Sequence, residues 1–122
     1  MARAANILRG GFSPAQAKAF NGAIATGLTA AGTTISDALD LTADTNVIGT
    51  CASGAGVQLP ATDIGDGVEV YNGGANACAV YPDTTSGVFN GLSAGAAFTL
   101  AANTASYCRK ITATRWIVFL SA

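Results

Sequence analysis

The chain has 122 residues, half of them apolar but only 11% charged, with fifteen glycines, no histidine and a formal net charge of −1. The missing histidine excludes catalytic triads, His-ligated zinc and imidazole acid–base chemistry as usually built, and six basic against seven acidic residues leave no electrostatic footprint for nucleic acid. Disordered chains are charge-rich, so these numbers point instead to one small folded domain with an Ala/Gly/Thr/Ser/Asn surface that suits burial against other subunits.

Residues 1–36 hold Arg3, Arg9 and Lys18 and no acid, which marks a basic N-terminal arm. Within it, Ser13-Pro14-Ala15-Gln16 supplies an N-cap serine, a proline at the first helical position and a glutamine placed to complete a capping box. Ala17, Phe20, Ile24 and Leu28 follow at helical spacing, so one short helix is expected over about residues 14–29. Phe12 stands at the hydrophobic-staple position just before the cap. Gly22 and Gly27 each cost such a helix about 1 kcal/mol relative to alanine, so its stripe needs a surface, either the chain's own β-domain or another subunit. The arm is then either a solvated leader or a segment that docks on an acidic surface, such as a neighbouring copy's middle stretch.

From Leu39 onward the apolar period becomes two, and residues 37–122 are expected to form an antiparallel β-domain. Leu39 to Thr42, Asn46 to Cys51 and Val57 to Leu59 are short strand-like runs bounded by Gly, Pro and Asn. Val68-Glu69-Val70-Tyr71 alternates, stops at Asn72-Gly73-Gly74-Ala75-Asn76 and resumes at Ala77 to Tyr81, the pattern of a hairpin with a five-residue loop. Val88-Phe89 and Ala97 to Leu100 make a looser second hairpin, and Ala105 to Ile111 with Arg115 to Leu120 a third. In the last strand Trp116, Val118 and Leu120 share one face while Ile117 and Phe119 take the other. Both faces are apolar, as in a strand covered on two sides. About seven or eight such strands indicate a small β-sandwich or jelly roll. Its expected core is Val68, Val70, Cys78, Val80, Phe98, Tyr107, Trp116 and Val118.

No constellation for catalysis emerges. Asp37, Asp40 and Asp44 would cluster on a helix, but they lack the glycine and closing glutamate of a calcium loop, and turn-capping roles fit them better. Asp63 and Asp66 lie in a glycine-rich loop. Ser53-Gly54-Ala55-Gly56 lacks the Lys-Ser/Thr ending of a phosphate loop. Neither lysine is embedded so as to activate a serine. Cys51, Cys78 and Cys108 are three, widely spaced and without a C-x-x-C pair, so buried reduced thiols in a cytoplasmic product are expected rather than disulfides or zinc. Tyr71, Tyr81 and Tyr107 are candidates for a sugar-binding face, although strand aromatics serve more often as core or cross-strand pairs. No metal or other cofactor is expected. The first residues lack the unbroken apolar run of a secretory leader, and no stretch approaches the roughly 20 apolar residues of a membrane span.

Leu41 to Val47, Gly56-Val57-Gln58-Leu59-Pro60, Gly67 to Asn72, Ala79-Val80-Tyr81-Pro82, Phe89-Asn90-Gly91 and the late Trp116 resemble, in their spacing of turns and hydrophobics, a small β-domain of tailed-bacteriophage structural proteins. Capsid cement (decoration) proteins and some fibre-like appendages carry it. The resemblance covers about residues 40–120. It implies a trimeric β-domain without enzymatic activity, bound to the major capsid protein on the capsid exterior, with no catalytic residues to carry over and no membrane or nucleic-acid partner. The arm residues Arg3, Arg9, Phe12, Lys18, Phe20, Ile24 and Leu28 fall outside the match and are the expected capsid-docking elements. The alternative is a head- or tail-fibre module that binds a host-surface glycan.

Overall fold

The computed structural model describes residues 22–121, and over that range the chain is mainly β, with ten strands and no helix. In chain order these are β1 (Ile24–Thr29), β2 (Leu39–Asp40), β3 (Thr45–Thr50), β4 (Gly56–Gln58), β5 (Gly67–Asn72), β6 (Cys78–Tyr81), β7 (Val88–Phe89), β8 (Phe98–Leu100), β9 (Thr104–Lys110) and β10 (Arg115–Leu120). They form a six-stranded sheet in the order β1-β3-β5-β9-β10-β7 and a four-stranded sheet in the order β2-β4-β6-β8. From β1 to β6 the chain changes sheet at every strand. Each visit to both sheets is one coil of a short solenoid, and three such coils stack.

Stacking in register makes neighbouring strands parallel. Ile24 lies beside Thr45 and Thr45 beside Glu69 in the larger sheet; Leu39 lies beside Val57 and Val57 beside Val80 in the smaller. The later strands close the stack antiparallel, β8 on β6, β9 on β5 and β10 on β9. β7 adds two parallel pairs beside Arg115 and Trp116. Both sheets are therefore mixed, where uniform antiparallel pairing was expected.

Of the three expected hairpins, only β9–β10 forms, its turn held by the Thr112 hydroxyl, which accepts the Arg115 N–H at 3.0 Å. The run from Val68 to Tyr81 is no hairpin, because β5 and β6 belong to different sheets. Asn72 supplies the reason. Its buried amide accepts the Gly74 N–H and donates to the carbonyls of Asn76 and Leu100, each at 2.9 Å. A Cβ at Gly74 would stand 2.7 Å from the Cys51 backbone nitrogen. The Asn-Gly-Gly corner thus carries the chain across to the other sheet instead of folding it back. Val88-Phe89 and Phe98 to Leu100 separate in the same way.

The start of the described chain brings another correction. Ile24 and Leu28, placed by their spacing on a helix, lie on β1, paired parallel to β3. Gly27 sits at φ +66 where the β1–β3 register shifts, a bulge conformation that suits glycine. Leu28 packs against the core. The six-stranded sheet therefore takes up the end of the segment read as an arm, and the helix expected from residue 14 lies, up to residue 21, outside the described residues.

The two sheets share one core. Val68, Val70, Cys78, Val80 and Trp116 are fully buried as expected, and Phe98 and Val118 pack against them from the margin. Phe89 meets Phe98 edge-on at 5.0 Å between ring centroids. Tyr107 is not part of the core: Ser106 and Cys108 take the inward positions of β9, which turns Tyr107 outward. Lys110 is embedded, but beside a carboxylate and not a serine. Its ammonium lies 2.8 Å from an Asp83 carboxylate oxygen and donates to the Thr62 carbonyl at 3.1 Å, while the other Asp83 oxygen accepts the Trp116 indole N–H at 3.0 Å.

Candidate interaction face

The outer face of the six-stranded sheet is built by register. Ile24, Thr45, Glu69, Tyr107 and Phe119 stand side by side across β1, β3, β5, β9 and β10. Val47, Tyr71 and Ala105 form the adjoining row, and Arg109 stands on the other side, opposite Gly67 and Ile117. The apolar members are open to solvent: Ile24 is 70% exposed, Phe119 60%, and Tyr71 and Tyr107 38% each. Large exposed aromatics gathered on one sheet face mark a contact surface, whereas the same residues scattered singly would not.

Local geometry holds these groups in place. The Tyr107 and Phe119 rings lie 6.5 Å apart at a tilt of 30°, a cross-strand aromatic pair. A Cβ at Gly67 would fall on the Tyr107 hydroxyl, so glycine there lets the ring lie along β5. Glu69 accepts the Thr45 hydroxyl at 2.7 Å. Thr45, Glu69, Tyr71, Tyr107, Phe119 and Leu120 line a shallow concavity of about 350 Å³. Its only carboxylate is Glu69, and it holds neither thiol nor lysine. Two tyrosine rings beside one carboxylate offer stacking surfaces and a hydrogen-bond acceptor to a ligand.

β10 ends at an open edge. β7 reaches only Arg115 and Trp116, after which Asn90 continues the ladder with its side chain: its amide oxygen accepts the Val118 N–H at 3.0 Å and its amide nitrogen donates to the Val118 carbonyl at 3.4 Å. The expectation that β10 is central or covered on two sides is met at its start only in the first sense, since Arg115 and Trp116 lie between β9 and β7. It fails at its end, where Phe119 and Leu120 project into solvent.

Asp40 and Asp63 are exposed, and most of the remaining candidates are occupied elsewhere. Asp37 accepts the backbone N–H groups of Thr33 and Thr34 and the Thr34 hydroxyl, and these bonds, those of Thr34 foremost, hold its carboxyl below the usual range. Asp44 accepts the Ala23 N–H, and Asp66 that of Asp63. Tyr81 lies on the other sheet and donates to the Thr33 carbonyl, so Tyr71 and Tyr107 are brought together without it. Cys51, Cys78 and Cys108 are free and buried. Burial, with Cys51 alongside, pushes the Cys78 thiol up to about 12; burial does the same for Cys108, partly opposed by a hydrogen bond from Ser106. A second hollow of about 390 Å³, lined by Asp40, Gln58 and Asp83 among others, has its Asp83 carboxylate already bound to Lys110 and Trp116. Among the described residues no three acids or cysteines converge on a metal-sized site, and no helix is long and apolar enough to cross a membrane.

Of the expected docking residues, Arg3, Arg9, Phe12, Lys18 and Phe20 lie outside the described residues. Ile24 belongs to the outer face and Leu28 to the margin of the core. Sequence reasoning missed Glu69, Thr45 and Phe119 as members of one surface. The available signal was the apolar second face of β10, which announces something to be covered. No protein-family model matches the chain, and comparison with curated proteins finds no significant relative.

Proposed function

We propose that this chain is a structural virion protein without enzymatic activity, a capsid cement subunit that acts as a homotrimer on the outer surface of a phage shell. The observation that carries this reading is the aromatic outer face of the six-stranded sheet, on a scaffold whose three thiols are buried. Such a face gains from being covered, and low charge lets it be covered without desolvating many ions. The body is sandwich-like in having two sheets around one core, laid down as coils. The basic arm, with Arg3, Arg9 and Lys18, reaches the major capsid protein, and many copies of a modest contact brace the shell by avidity. Because β1 belongs to the sheet, the removable arm is residues 1–21. Co-sedimentation with assembled shells in a fixed ratio to shell subunits, lost on deleting 1–21, is the expected result. Absence of the protein from shells refutes the reading.

A second reading draws on the concavity: Tyr71 and Tyr107 around the Glu69 carboxylate combine stacking surfaces with a hydrogen-bond acceptor, as a glycan-binding fibre module requires. A saccharide that shifts Tyr107 and Tyr71 resonances, in a chain that never joins shells, would favour it.

A further inference from the structure

We infer that the outer face of the six-stranded sheet is the surface through which copies of this chain bind one another, with Glu69 of one copy opposite Arg109 of the next. The inference rests on the reading of the chain as an assembly subunit and names the occupant of its exposed face.

Three observations support a second copy as the occupant. First, the face carries one acid and one base on adjacent strands, Glu69 on β5 and Arg109 on β9, diagonal to each other beside the Glu69–Tyr107 pair. Both are exposed, and among the described residues the single ion pair of the molecule is Lys110–Asp83, so neither is neutralised within its own copy. With three such faces turned toward a threefold axis, Glu69 of each copy meets Arg109 of the next while its own Arg109 meets Glu69 of the one before, as a closed ring of identical subunits requires. Second, Tyr107, its ring partner Phe119 and Tyr71 in the adjoining row form one exposed aromatic cluster, with Thr45 and Glu69 between it and Ile24. Aromatic contact residues with charges beside them are the usual make-up of a binding patch. Third, five strands about 4.8 Å apart and about six residues long give a footprint of roughly 400–500 Å² per copy, so two faces together bury about 800–1,000 Å², the size of a weak, concentration-dependent contact.

The test is the solution mass of the full chain across a dilution series, by sedimentation velocity or light scattering, beside the same measurement on variants whose melting curves show an intact fold. The wild-type chain is expected to associate. Phe119→Glu should abolish association, because it places a carboxylate in the aromatic centre. Glu69→Arg and Arg109→Glu should each weaken association about tenfold or more, and combining the two should restore it to within about threefold of wild type. A wild-type chain that stays monomeric at every concentration overturns the inference, as does an oligomer indifferent to Phe119→Glu, which would place the contact elsewhere. Failure of the combined charge swap to recover overturns the Glu69–Arg109 pairing. Shell binding is scored separately on the same proteins. A wild-type oligomer that never sediments with shells sinks the cement reading and leaves this inference standing.

Discussion

Replacing Asp83 with alanine should be among the most damaging single changes in the molecule. Asp83 follows β6, whereas Lys110 ends β9 and Trp116 lies on β10, so one carboxylate ties the smaller sheet to two strands of the larger. The side chains of Lys110 and Asp83 are only 10% and 3% exposed. That burial decides the scale: exposed ion pairs contribute about 0–1 kcal/mol, but removing one partner of a buried pair costs about 3–5 kcal/mol, because the other charge is left uncompensated. Asp83→Ala also strips the Trp116 N–H of its acceptor. Against a typical total stability of about 5–15 kcal/mol, a loss of this size removes about a fifth of the margin or more. Asp83→Asn, which keeps an acceptor for Trp116 and loses the charge, should cost less. Replacing both ends, Asp83→Leu with Lys110→Met, should return to within about 1–2 kcal/mol of wild type. Urea unfolding followed by the fluorescence of the single tryptophan reads the site directly, with protein concentration held constant because association shifts apparent stability. A cost below about 1 kcal/mol for Asp83→Ala, or single-mutant costs that merely add in the double, would refute the reasoning.

Asn90→Ala should open the β10 edge. It removes the side-chain bonds to Val118 and leaves alanine at a φ of 43, so a loss of about 1–2 kcal/mol is expected, together with roughly tenfold faster amide exchange at Val118. Unchanged exchange at that amide would show the clamp to be idle. The Cys78 and Cys108 thiols, pushed up to about 12 by burial, have only about one thiolate in ten thousand at pH 8, so alkylation of the native chain should be slow and that of the urea-unfolded chain rapid. Because their folded values stand above the ordinary 9.0, the folded state retains protons that the unfolded state releases. Their contribution is full below about pH 9 and is lost as pH rises towards 12, by at most about 1.4 kcal/mol per pH unit per thiol. A Cys108→Ala variant with an equally steep alkaline decline would contradict that assignment.

The β class and most of the core were legible in alternation: Val68, Val70, Cys78 and Val80 fall at the two-residue period that a strand with one buried face imposes. Pairing partners were not. Asn72-Gly73-Gly74 has the composition of a hairpin turn and also of a buried corner between sheets. The difference lies in what Asn72 bonds, above all the Leu100 carbonyl 28 residues away, which no local pattern contains. Ile24 and Leu28 fit a helical stripe because a four-residue spacing also appears in a strand bulged at Gly27. The face was half legible. Ile117 and Phe119 reported an apolar second side to β10, but joining Glu69 to Tyr107 needed the β5–β9 register, a pairing across nearly 40 residues. The Lys110–Asp83 pair was not legible for the same reason, since the two residues are 27 positions apart.

The order in which the strands are used governs how the protein is made. β5, in the middle of the larger sheet, pairs with β3 already behind it in the chain and with β9, which is synthesised more than thirty residues later. β6 likewise waits for β8, and the core waits for Trp116 on β10. A nascent chain that has emitted its three coils therefore still shows two unpaired strand edges and an unfilled interior, and no part of it closes early. Folding is expected to complete only after β9 and β10 have been made. Polysomes carrying chains truncated before β9 should present protease-sensitive, aggregation-prone products, and a premature stop should leave no stable fragment behind.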